Sequence, residues 1–312
     1  MNTERRYLLS VHRSVFVRQS VFEMITVISP TQPELSSVDC ALWRELIQER
    51  CGLFFPDSRL RFLRERLWER MRARAIGRYG EYYGFVRHNA EGAAEWRQLL
   101  ELIVVGETSF FRHAPSYEAL AQSVLPELLS RKRERGEKTF NFWSAGCAGG
   151  QEAYSLAIGF FEAPDTNSFK LRVTGTDISR IALAKARRGA YRTHELQGLR
   201  DGLCQRYFTT ARGAGASIYT VAVPLVKSVR FIVGNLANDD LHLPSQDVIF
   251  CQNVLMYFDL ESRAAIVRRL VSRLGPGGFL FTAPAELVGL ELPEIEAVSI
   301  RDTLIYRRRQ EG

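Results

Sequence analysis

Apolar residues follow two different spacings along the chain. Between residues 38 and 104 they recur three and four positions apart, which predicts a series of amphipathic helices. From residue 140 onward, short apolar runs typical of buried strands alternate with helical segments. Such alternation is typical of a mainly parallel sheet whose faces are covered by helices. The pattern therefore predicts an α/β domain preceded by a small all-helical region.

The predicted segments divide the chain into four parts. We expect an N-terminal extension over residues 1–35, a helical domain over 36–112, a linker helix over 113–136 that is interrupted at Pro126, and the α/β domain over 137–312. At about residues 204–228 two β-rich runs flank the loop Arg212-Gly-Ala-Gly-Ala216, which predicts an inserted antiparallel β-subdomain with a mobile loop. A helix over residues 260–274 is expected to close at Gly275-Pro-Gly-Gly278. Strands are predicted at 140–144, 171–175, 229–233, 247–251 and 279–282, with a terminal hairpin at 297–300 and 303–306.

A glycine-rich turn follows the first of these strands. Gly146, Gly149 and Gly150 stand between it and a helix that starts near Gln151, and ligands of such sheets bind outside the carboxyl ends of the strands. The turn lacks the Lys-Ser/Thr ending of a P-loop and the Gly-x-Gly-x-x-Gly spacing of a dinucleotide site, so neither a triphosphate nor NAD is indicated. Its carboxylate, Glu152, instead attracts a cation. S-adenosylmethionine, an adenosine compound with ammonium and sulfonium groups, fits this description.

Asp177 lies at the tip of the second predicted strand, just before Ser179, which is expected to cap the next helix. A carboxylate in this position can accept hydrogen bonds from ribose hydroxyls. An ordinary helix N-terminal turn is the alternative interpretation.

The segment Val105-Gly-Glu-Thr-Ser-Phe-Phe-Arg112 precedes the linker helix. Its polar residues Glu107, Thr108 and Arg112 bracket two adjacent phenylalanines. The segment is too apolar for a linker and not periodic enough for a helix. It is either a hinge whose phenylalanines fill the joint between domains, with Arg112 in a salt bridge, or a functional segment.

Positive charge is concentrated on one predicted helix. The chain has a formal net charge of +7. The helix that starts after Asp57 or Ser58 has an arginine face opposed only by Glu65 and Glu69, and that face comprises Arg59, Arg61, Arg64, Arg66, Arg70, Arg72 and Arg74. This face is either a solvated surface or a docking surface for an acidic helix or for phosphates. Few aromatic residues are interleaved with the arginines, which counts against a nucleic-acid partner.

Cysteine usage and hydropathy indicate the compartment. The five cysteines form no Cys-x-x-Cys pair and leave an odd number, which argues against a metal site or a disulfide framework and for a reducing compartment. No apolar run approaches the roughly 20 residues of a membrane span. The apolar stretch at residues 15–28 is broken by Arg18 and Glu23 and lacks a cleavage site. We therefore expect a cytoplasmic protein without membrane insertion, for which Met24 is an alternative start.

Six motifs stand in a fixed order along the chain. They are Glu107-Thr-Ser-Phe-Phe-Arg112, Trp143-Ser-Ala-Gly-Cys-Ala-Gly-Gly-Gln-Glu-Ala-Tyr-Ser155, Thr176-Asp-Ile-Ser179 followed by Ala184-Lys-Ala-Arg-Arg-Gly-Ala-Tyr191, Arg206-Tyr-Phe208, Gly234-Asn-Leu236 and Phe250-Cys-Gln-Asn-Val-Leu-Met-Tyr-Phe258. In this order and spacing the chain resembles the CheR family of chemoreceptor protein-glutamate O-methyltransferases, over about residues 36–308. The resemblance implies a class I, Rossmann-like S-adenosylmethionine-dependent methyltransferase sheet, with a small all-helical N-terminal domain and an inserted antiparallel β-subdomain.

The resemblance also implies roles for individual residues. The cofactor-binding set is Thr108, Arg112, Gly146, Glu152, Asp177, Asn235, Leu236, Asn253 and Val254, and the catalytic pair is Arg112 and Tyr257. By the family pattern, Glu152 holds the methionine ammonium and Asp177 takes the ribose. Asn235 and Leu236 flank the adenine, and Asn253 and Val254 lie near the sulfonium. The arginine face, through Arg64, Arg70 and Arg74, would dock the acidic receptor helices.

The implied function is methylation of glutamate carboxylates on a chemoreceptor in chemotaxis-type adaptation, with S-adenosylhomocysteine as the product. A glutamate is already ionised at pH 7, so no general base is needed. We expect a monomer whose β-subdomain is a candidate site for a receptor-tail peptide. Gln252 stands where the family has Arg, and Pro284-Ala285 stands where it has His-Ser before Glu286. The Pro284-Ala285 departure motivates one alternative, a non-catalytic cofactor-binding scaffold or sensor. A methyltransferase that acts on a different protein or a small acid is a further alternative.

Overall fold

In the part of the chain that the structure describes, four helices around one apolar core precede a seven-stranded sheet with covering helices. The computed structural model describes residues 31–200, 202–212, 217–238 and 241–309. The extension expected before residue 31, the alternative start at Met24 and the loop at residues 213–216 lie outside the described residues. All elements below belong to the unit Glu34–Gly312. None of the described helices is long and apolar enough to cross a membrane.

The helical domain consists of α1 (Ser37–Cys51), α2 (Leu60–Ala73), α3 (Tyr79–His88) and α4 (Gly92–Ile103). At the start of α1 the Ser36 hydroxyl accepts a hydrogen bond from the Asp39 amide at 3.1 Å. The helix ends at Gly52, which has a φ of 76° and provides the predicted stop. Leu63 and Leu67, from the predicted apolar stripe of α2, are fully buried.

The linker is a continuous helical run with a widened middle. α5 (Ala114–Ala119) passes into one π-helical turn, Leu120–Val124, and then into α6 (Leu125–Glu134). Pro126 lies in the first turn of α6, where a missing N–H disturbs a helix least. The interruption predicted at Pro126 is therefore a wide turn just before it.

The described strands and the remaining helices alternate along the chain. The strands are β1 (Thr139–Ala145), β2 (Lys170–Asp177), β3 (Ala190–Arg192), β4 (Phe208–Arg212), β5 (Ser217–Val221), β6 (Val229–Val233), β7 (Gln246–Cys251), β8 (Leu274–Thr282), β9 (Ile295–Ile300) and β10 (Thr303–Arg308). The helices are α7 (Gln151–Glu162), α8 (Arg180–Arg188), α9 (Leu203–Tyr207), α10 (Val223–Ser228) and α11 (Leu260–Arg273).

The main sheet has the order β6-β2-β1-β7-β8-β10-β9. Its first five strands are parallel, and β10 runs antiparallel to both β8 and β9, as the terminal hairpin predicted. In the register, Ser144 of β1 lies beside Phe250 of β7, and Ala145 lies beside Thr176 of β2. The turns that follow these three strands therefore meet at one edge of the sheet.

The small sheet has the order β3-β5-β4 and is antiparallel. The predicted insert at residues 204–228 includes β4 and β5 but misses β3, because three residues are too few to show a strand period. Tyr191 of β3 is fully buried and packs edge-on against Phe110 at 5.1 Å. The small sheet is therefore anchored to the segment before the linker helix.

α11 ends at Arg273, within one residue of the predicted end, but the glycines at residues 275–278 lie inside β8, so the prediction that they cap the helix is wrong. Arg131 of α6 donates hydrogen bonds to the carbonyl oxygens of Gly277 and Pro276 at 2.8 and 2.5 Å. Gly277 has a φ of 70°, and a Cβ at this position would lie 2.5 Å from Arg131 Nη2. Glycine is favoured here because this φ lies in the left-handed region, which residues with a side chain rarely adopt.

Candidate active site

The residues singled out from the sequence meet in one cavity at the carboxyl ends of the parallel strands. Gly146 follows β1, Asp177 ends β2, Asn235 follows β6 and Asn253 follows β7. The cavity contains about 1010 Å³ of empty space, part of it open to solvent. Its lining includes all ten residues expected to serve the cofactor or the reaction: Thr108, Arg112, Gly146, Glu152, Asp177, Asn235, Leu236, Asn253, Val254 and Tyr257. Their individual roles stay predictions.

The glycine turn after β1 forms one wall of this cavity. The amides of Gly146 and Cys147 both donate to the carbonyl oxygen of Thr176, at 2.8 and 2.9 Å. Gly146 has a φ of 83°, and a Cβ there would lie 2.5 Å from a Val254 methyl group. Any larger residue would push apart the loops that follow β1 and β7.

Glu152 lies in the first turn of α7 and faces the cavity. Its carboxylate accepts a hydrogen bond from the Ser144 hydroxyl at 2.6 Å. Burial raises the pKa of Glu152 to about 7; the Ser144 hydrogen bond opposes this rise, the charge of Glu286 adds to it, and the charge of Arg112 opposes it. A cationic ligand in the cavity would favour the ionised carboxylate.

Asp177 is held by the turns on both sides of it. Its two carboxylate oxygens accept hydrogen bonds from the amides of Ala148 and Ser179, each at 2.8 Å. Burial raises the pKa of Asp177, and these two hydrogen bonds oppose the rise. Asp177 thus connects the glycine turn to the start of α8. It forms the helix N-terminal turn offered as one interpretation, and it also lines the cavity, as the ribose-binding interpretation requires.

Glu286 organises the loop after β7, and sequence reasoning assigned it no role. The side chain is 5% exposed, and it accepts hydrogen bonds from the amides of Ala283, Asn253 and Met256 at 2.8, 3.3 and 3.4 Å. Asn253 has a φ of 59°, a strained value for a residue other than glycine. Glu286 stabilises the loop that brings Asn253 and Tyr257 to the cavity. The sequence signal that could have indicated this role is an acidic residue shortly after the last parallel strand.

The segment at residues 105–112 has a feature of each interpretation offered for it: its phenylalanines are buried, as in a hinge, and its arginine lines the cavity, as in a functional segment. Phe110 and Phe111 are buried in the main core, and the Phe111 amide donates to the Ser155 hydroxyl at 3.0 Å. Arg112 lines the cavity and donates to the carbonyl oxygen of Glu107 at 3.1 Å. Within the described residues Arg112 forms no ion pair with a carboxylate, so the salt bridge expected for a hinge is not found.

The helical domain supplies a second wall, which sequence reasoning missed. Arg59 lines the cavity, with its guanidinium 5.2 Å from the Tyr257 ring centroid and 5.0 Å from that of Phe55. The Phe54 amide donates to the Tyr257 carbonyl oxygen at 2.8 Å. This part of the cavity comes from residues about 200 positions before Tyr257, so no local motif could indicate it.

Two of the three arginines expected to dock a substrate bind a buried carboxylate within the helical domain. Arg70 donates two hydrogen bonds to Glu95, at 2.8 and 2.9 Å, and Arg74 donates a third at 2.7 Å. The Tyr82 hydroxyl donates to the same carboxylate at 2.8 Å. Burial alone would raise the pKa of Glu95, but these hydrogen bonds outweigh it and lower the pKa to about 2.

The expectation that only Glu65 and Glu69 oppose the arginine face is therefore wrong. Glu95 of α4, and Glu91, which immediately precedes α4 and lies 2.9 Å from Arg74, were not visible in the pattern of α2. Arg64 lies half-buried on the same helix. Docking by Arg64, Arg70 and Arg74 stays a prediction, but much of the charge of Arg70 and Arg74 already has a partner.

Comparison with known proteins relates this chain to a protein family. The family described as "CheR methyltransferase, SAM binding domain" matches residues 106–305, and "CheR methyltransferase, all-alpha domain" matches residues 39–104. The chemotaxis protein methyltransferase of Salmonella typhimurium is 33% identical to this chain, over 78% of the chain and 81% of the relative. Chemotaxis protein methyltransferase 1 of Pseudomonas aeruginosa is 30% identical, over 88% and 99%. That of Escherichia coli is 32% identical, over 78% and 82%.

Proposed function

Because this chain belongs to the CheR methyltransferase family, it is an S-adenosylmethionine-dependent methyltransferase of chemotaxis signalling, and we propose which residues hold the cofactor and the acceptor. The observation that supports the assignment is the convergence of all ten candidate residues on one cavity. The cavity also fits the chemistry of a cationic adenosine compound. It contains the carboxylates of Glu152 and Asp177, and no Lys, Arg or His forms an ion pair with either one among the described residues.

The cofactor is held by residues at four strand ends. Glu152 receives the ammonium group, because its carboxylate lines the cavity and is held in place by the Ser144 hydroxyl. Asp177 accepts from the ribose hydroxyls. Asn235 and Leu236 bracket the adenine, while Asn253 and Val254 lie beside the sulfonium. When bound, S-adenosylmethionine supplies an activated methyl group, and the acceptor carboxylate becomes a methyl ester.

The acceptor is a glutamate side chain, which needs orientation rather than deprotonation. Arg112 attracts and orients its carboxylate from the cavity wall, and Thr108 lies in the same wall. Tyr257 donates a hydrogen bond to the acceptor. Arg59, held over the Tyr257 ring, adds positive charge on the side of the helical domain. The two walls together exclude water from the reacting carboxylate.

Chemoreceptors are the substrate class, and the acceptor lies on their cytoplasmic helices. The enzyme acts as a monomer in the cytoplasm. A receptor-tail peptide binds the small β3-β5-β4 sheet, because that sheet has edge strands able to pair with an extended peptide.

The test is transfer of tritiated methyl groups to receptor-containing membranes and to purified receptor. Base-labile label on receptor glutamates is expected. Arg112→Ala should reduce turnover at saturating cofactor by about 10²-fold, the order expected for a positioning error, and calorimetry on the same variant measures any loss of cofactor binding separately. Unchanged turnover in this variant would exclude the orienting role.

The same assay addresses the alternatives. Cofactor binding without any transfer would indicate a scaffold or sensor. Base-labile methyl release with no receptor labelled would indicate a different protein or a small acid as acceptor.

A further inference from the structure

A carboxylate of the helical domain reaches the start of α8, next to the proposed ribose site. Glu101, in the last turn of α4, accepts hydrogen bonds from the amides of Arg180 and Ile181 at 2.7 and 3.3 Å. It also accepts one from the Ser179 hydroxyl. The N-terminus of a helix favours a negative charge because its first amides have no partner within the helix. Here that charge comes from a different domain.

Ser179 connects this contact to the floor of the cavity. Its hydroxyl donates to Glu101 and accepts from the Ala182 amide at 2.9 Å, which caps α8. Its own amide donates to Asp177 at 2.8 Å, and the other Asp177 oxygen accepts from Ala148 in the glycine turn. A continuous chain of hydrogen bonds therefore runs from α4 through the ribose carboxylate to the glycine turn.

Glu101 lies close in sequence to the part of the cavity wall that the helical domain supplies. Ile103, Val104 and Val105 follow it closely in sequence, and all three line the cavity. Asp177 and Ile178, which precede Ser179, line the same cavity, and Ile178 packs against the apolar core of the helical domain that contains Ile103. The contact of Glu101 with the start of α8 therefore lies beside the place where these two segments meet at the cavity.

The helical domain has a second attachment at another part of the cavity. There the Gln48 side chain donates to the Asp259 carboxylate at 2.7 Å, and the Phe54 amide donates to the Tyr257 carbonyl at 2.8 Å. These contacts attach the helical domain near Tyr257. Glu101 attaches the same domain through a charged side chain near Asp177, the proposed ribose carboxylate.

We propose that Glu101 is a positioning residue that fastens the helical domain to the cavity floor and makes that domain part of the cofactor site. The proposal rests on the proposed function of Asp177 at the ribose. Glu101 does not line the cavity, so it acts through Ser179 and through the wall formed by Ile103 to Val105. Without it the wall opens and the cofactor leaves faster, although every side chain that touches the cofactor is unchanged.

The experiment compares Glu101→Ala, Glu101→Gln and Glu49→Ala in the full chain. Glu49 is the matched control, because its ion pair with Arg87 at 2.9 Å lies wholly within the helical domain. Binding and dissociation of S-adenosylhomocysteine are measured by calorimetry and stopped flow. Hydrogen exchange of the amides at residues 103–105 is measured in the cofactor-free protein.

Glu101→Ala should weaken binding about tenfold through faster dissociation, in line with the loss of charge-assisted hydrogen bonds. The amides at residues 103–105 should exchange faster in the same variant. Glu101→Gln, which keeps one acceptor oxygen but loses the charge, should lose less affinity than Glu101→Ala, and Glu49→Ala should bind as the wild type does.

Wild-type affinity and wild-type exchange in Glu101→Ala would overturn the proposal. So would equal effects of Glu101→Ala and Glu49→Ala, since that result indicates general destabilisation. Failure of the wild type to bind would instead contradict the proposed function, and the exchange measurement would still decide whether Glu101 fastens the wall.

Discussion

Two buried clusters of acidic side chains in this chain have opposite electrostatic environments. In the helical domain, Glu95 is surrounded by two guanidiniums and a hydroxyl, and its pKa is lowered to about 2. In the cavity, Glu152 lies near the buried Glu286 and accepts one hydroxyl hydrogen bond, and its pKa is raised to about 7. Glu95 is fully buried and Glu152 is half-buried, and of these two carboxylates only Glu95 forms ion pairs with cationic side chains.

The difference separates a structural site from a binding site. A buried carboxylate with its counterions in place stabilises a fold against their loss. A buried carboxylate without them costs stability when ionised, and a ligand that brings a cation removes that cost. We infer that the Glu95 cluster supports the fold and that the Glu152 cluster is kept for the cofactor.

Removing Glu95 should have the largest effect on stability. Glu95→Ala leaves Arg70 and Arg74 without their shared partner. Breaking a buried pair costs roughly 3–5 kcal/mol, and we expect the lower end because the two arginines are 19% and 32% exposed. Urea unfolding measures the loss. Glu65→Ala, which breaks an exposed pair with Arg61 at 3.0 Å, is the control and should change stability by less than about 1 kcal/mol. Equal losses in the two variants would contradict the structural role of Glu95.

Replacing Glu152 should reduce cofactor affinity without reducing the stability of the fold. Glu152→Gln keeps the shape of the side chain but removes the charge, so cofactor affinity should fall roughly tenfold to hundredfold. Thermal unfolding of the cofactor-free protein should be unchanged or shifted upward, because no ionised carboxylate is then buried. Calorimetry and a thermal melt on the same sample measure both effects. Retained affinity would show that another group receives the ammonium.

The pH dependence of binding should follow Glu152 in the wild type. Its folded-state pKa of about 7 lies above the ordinary value of 4.5, so the folded protein binds the proton more tightly than the unfolded chain. The contribution of Glu152 to stability is therefore present below pH 4.5 and is lost as pH rises through 7. Cofactor affinity should run the other way and weaken about tenfold from pH 8 to pH 6. A flat profile between these values would exclude Glu152 as the titrating group, and a profile unchanged in Glu152→Gln would do the same.

The smallest effect concerns the arginine face. Arg70 and Arg74 cannot test docking by charge reversal, because reversal would also break the contact with Glu95. Arg64→Glu avoids that contact and should raise the KM for receptor about threefold at low salt, with less effect at high salt. Arg78→Glu, which changes an 87% exposed arginine outside α2, is the control. Equal effects of the two variants would indicate that the arginine face is an ordinary solvated surface and not a docking surface.

Features that depend on local sequence could be predicted from it. The stop at Gly52, most strands of the main sheet, and Gly146, Glu152 and Asp177 near strand ends follow from short local patterns, because parallel strands bring their carboxyl ends to one edge. The other candidate residues in the cavity were indicated by the resemblance to a family. The contacts that were missed join residues far apart in sequence. Glu95 binds α2 from α4, Glu286 holds a loop 30 residues earlier, and Arg59 reaches Tyr257 from another domain. No spacing rule indicates such pairs.

The most direct test of the central claim is whether cofactor binding displaces a proton from the cavity. Calorimetric titration of the wild type with S-adenosylmethionine at pH 7, in two buffers of different ionisation enthalpy, measures the protons released. With a pKa of about 7 for Glu152, about half a proton should be released per site, and Glu152→Gln should release almost none. Equal heats in both buffers for the wild type would contradict the claim that Glu152 loses its proton when the cationic cofactor binds.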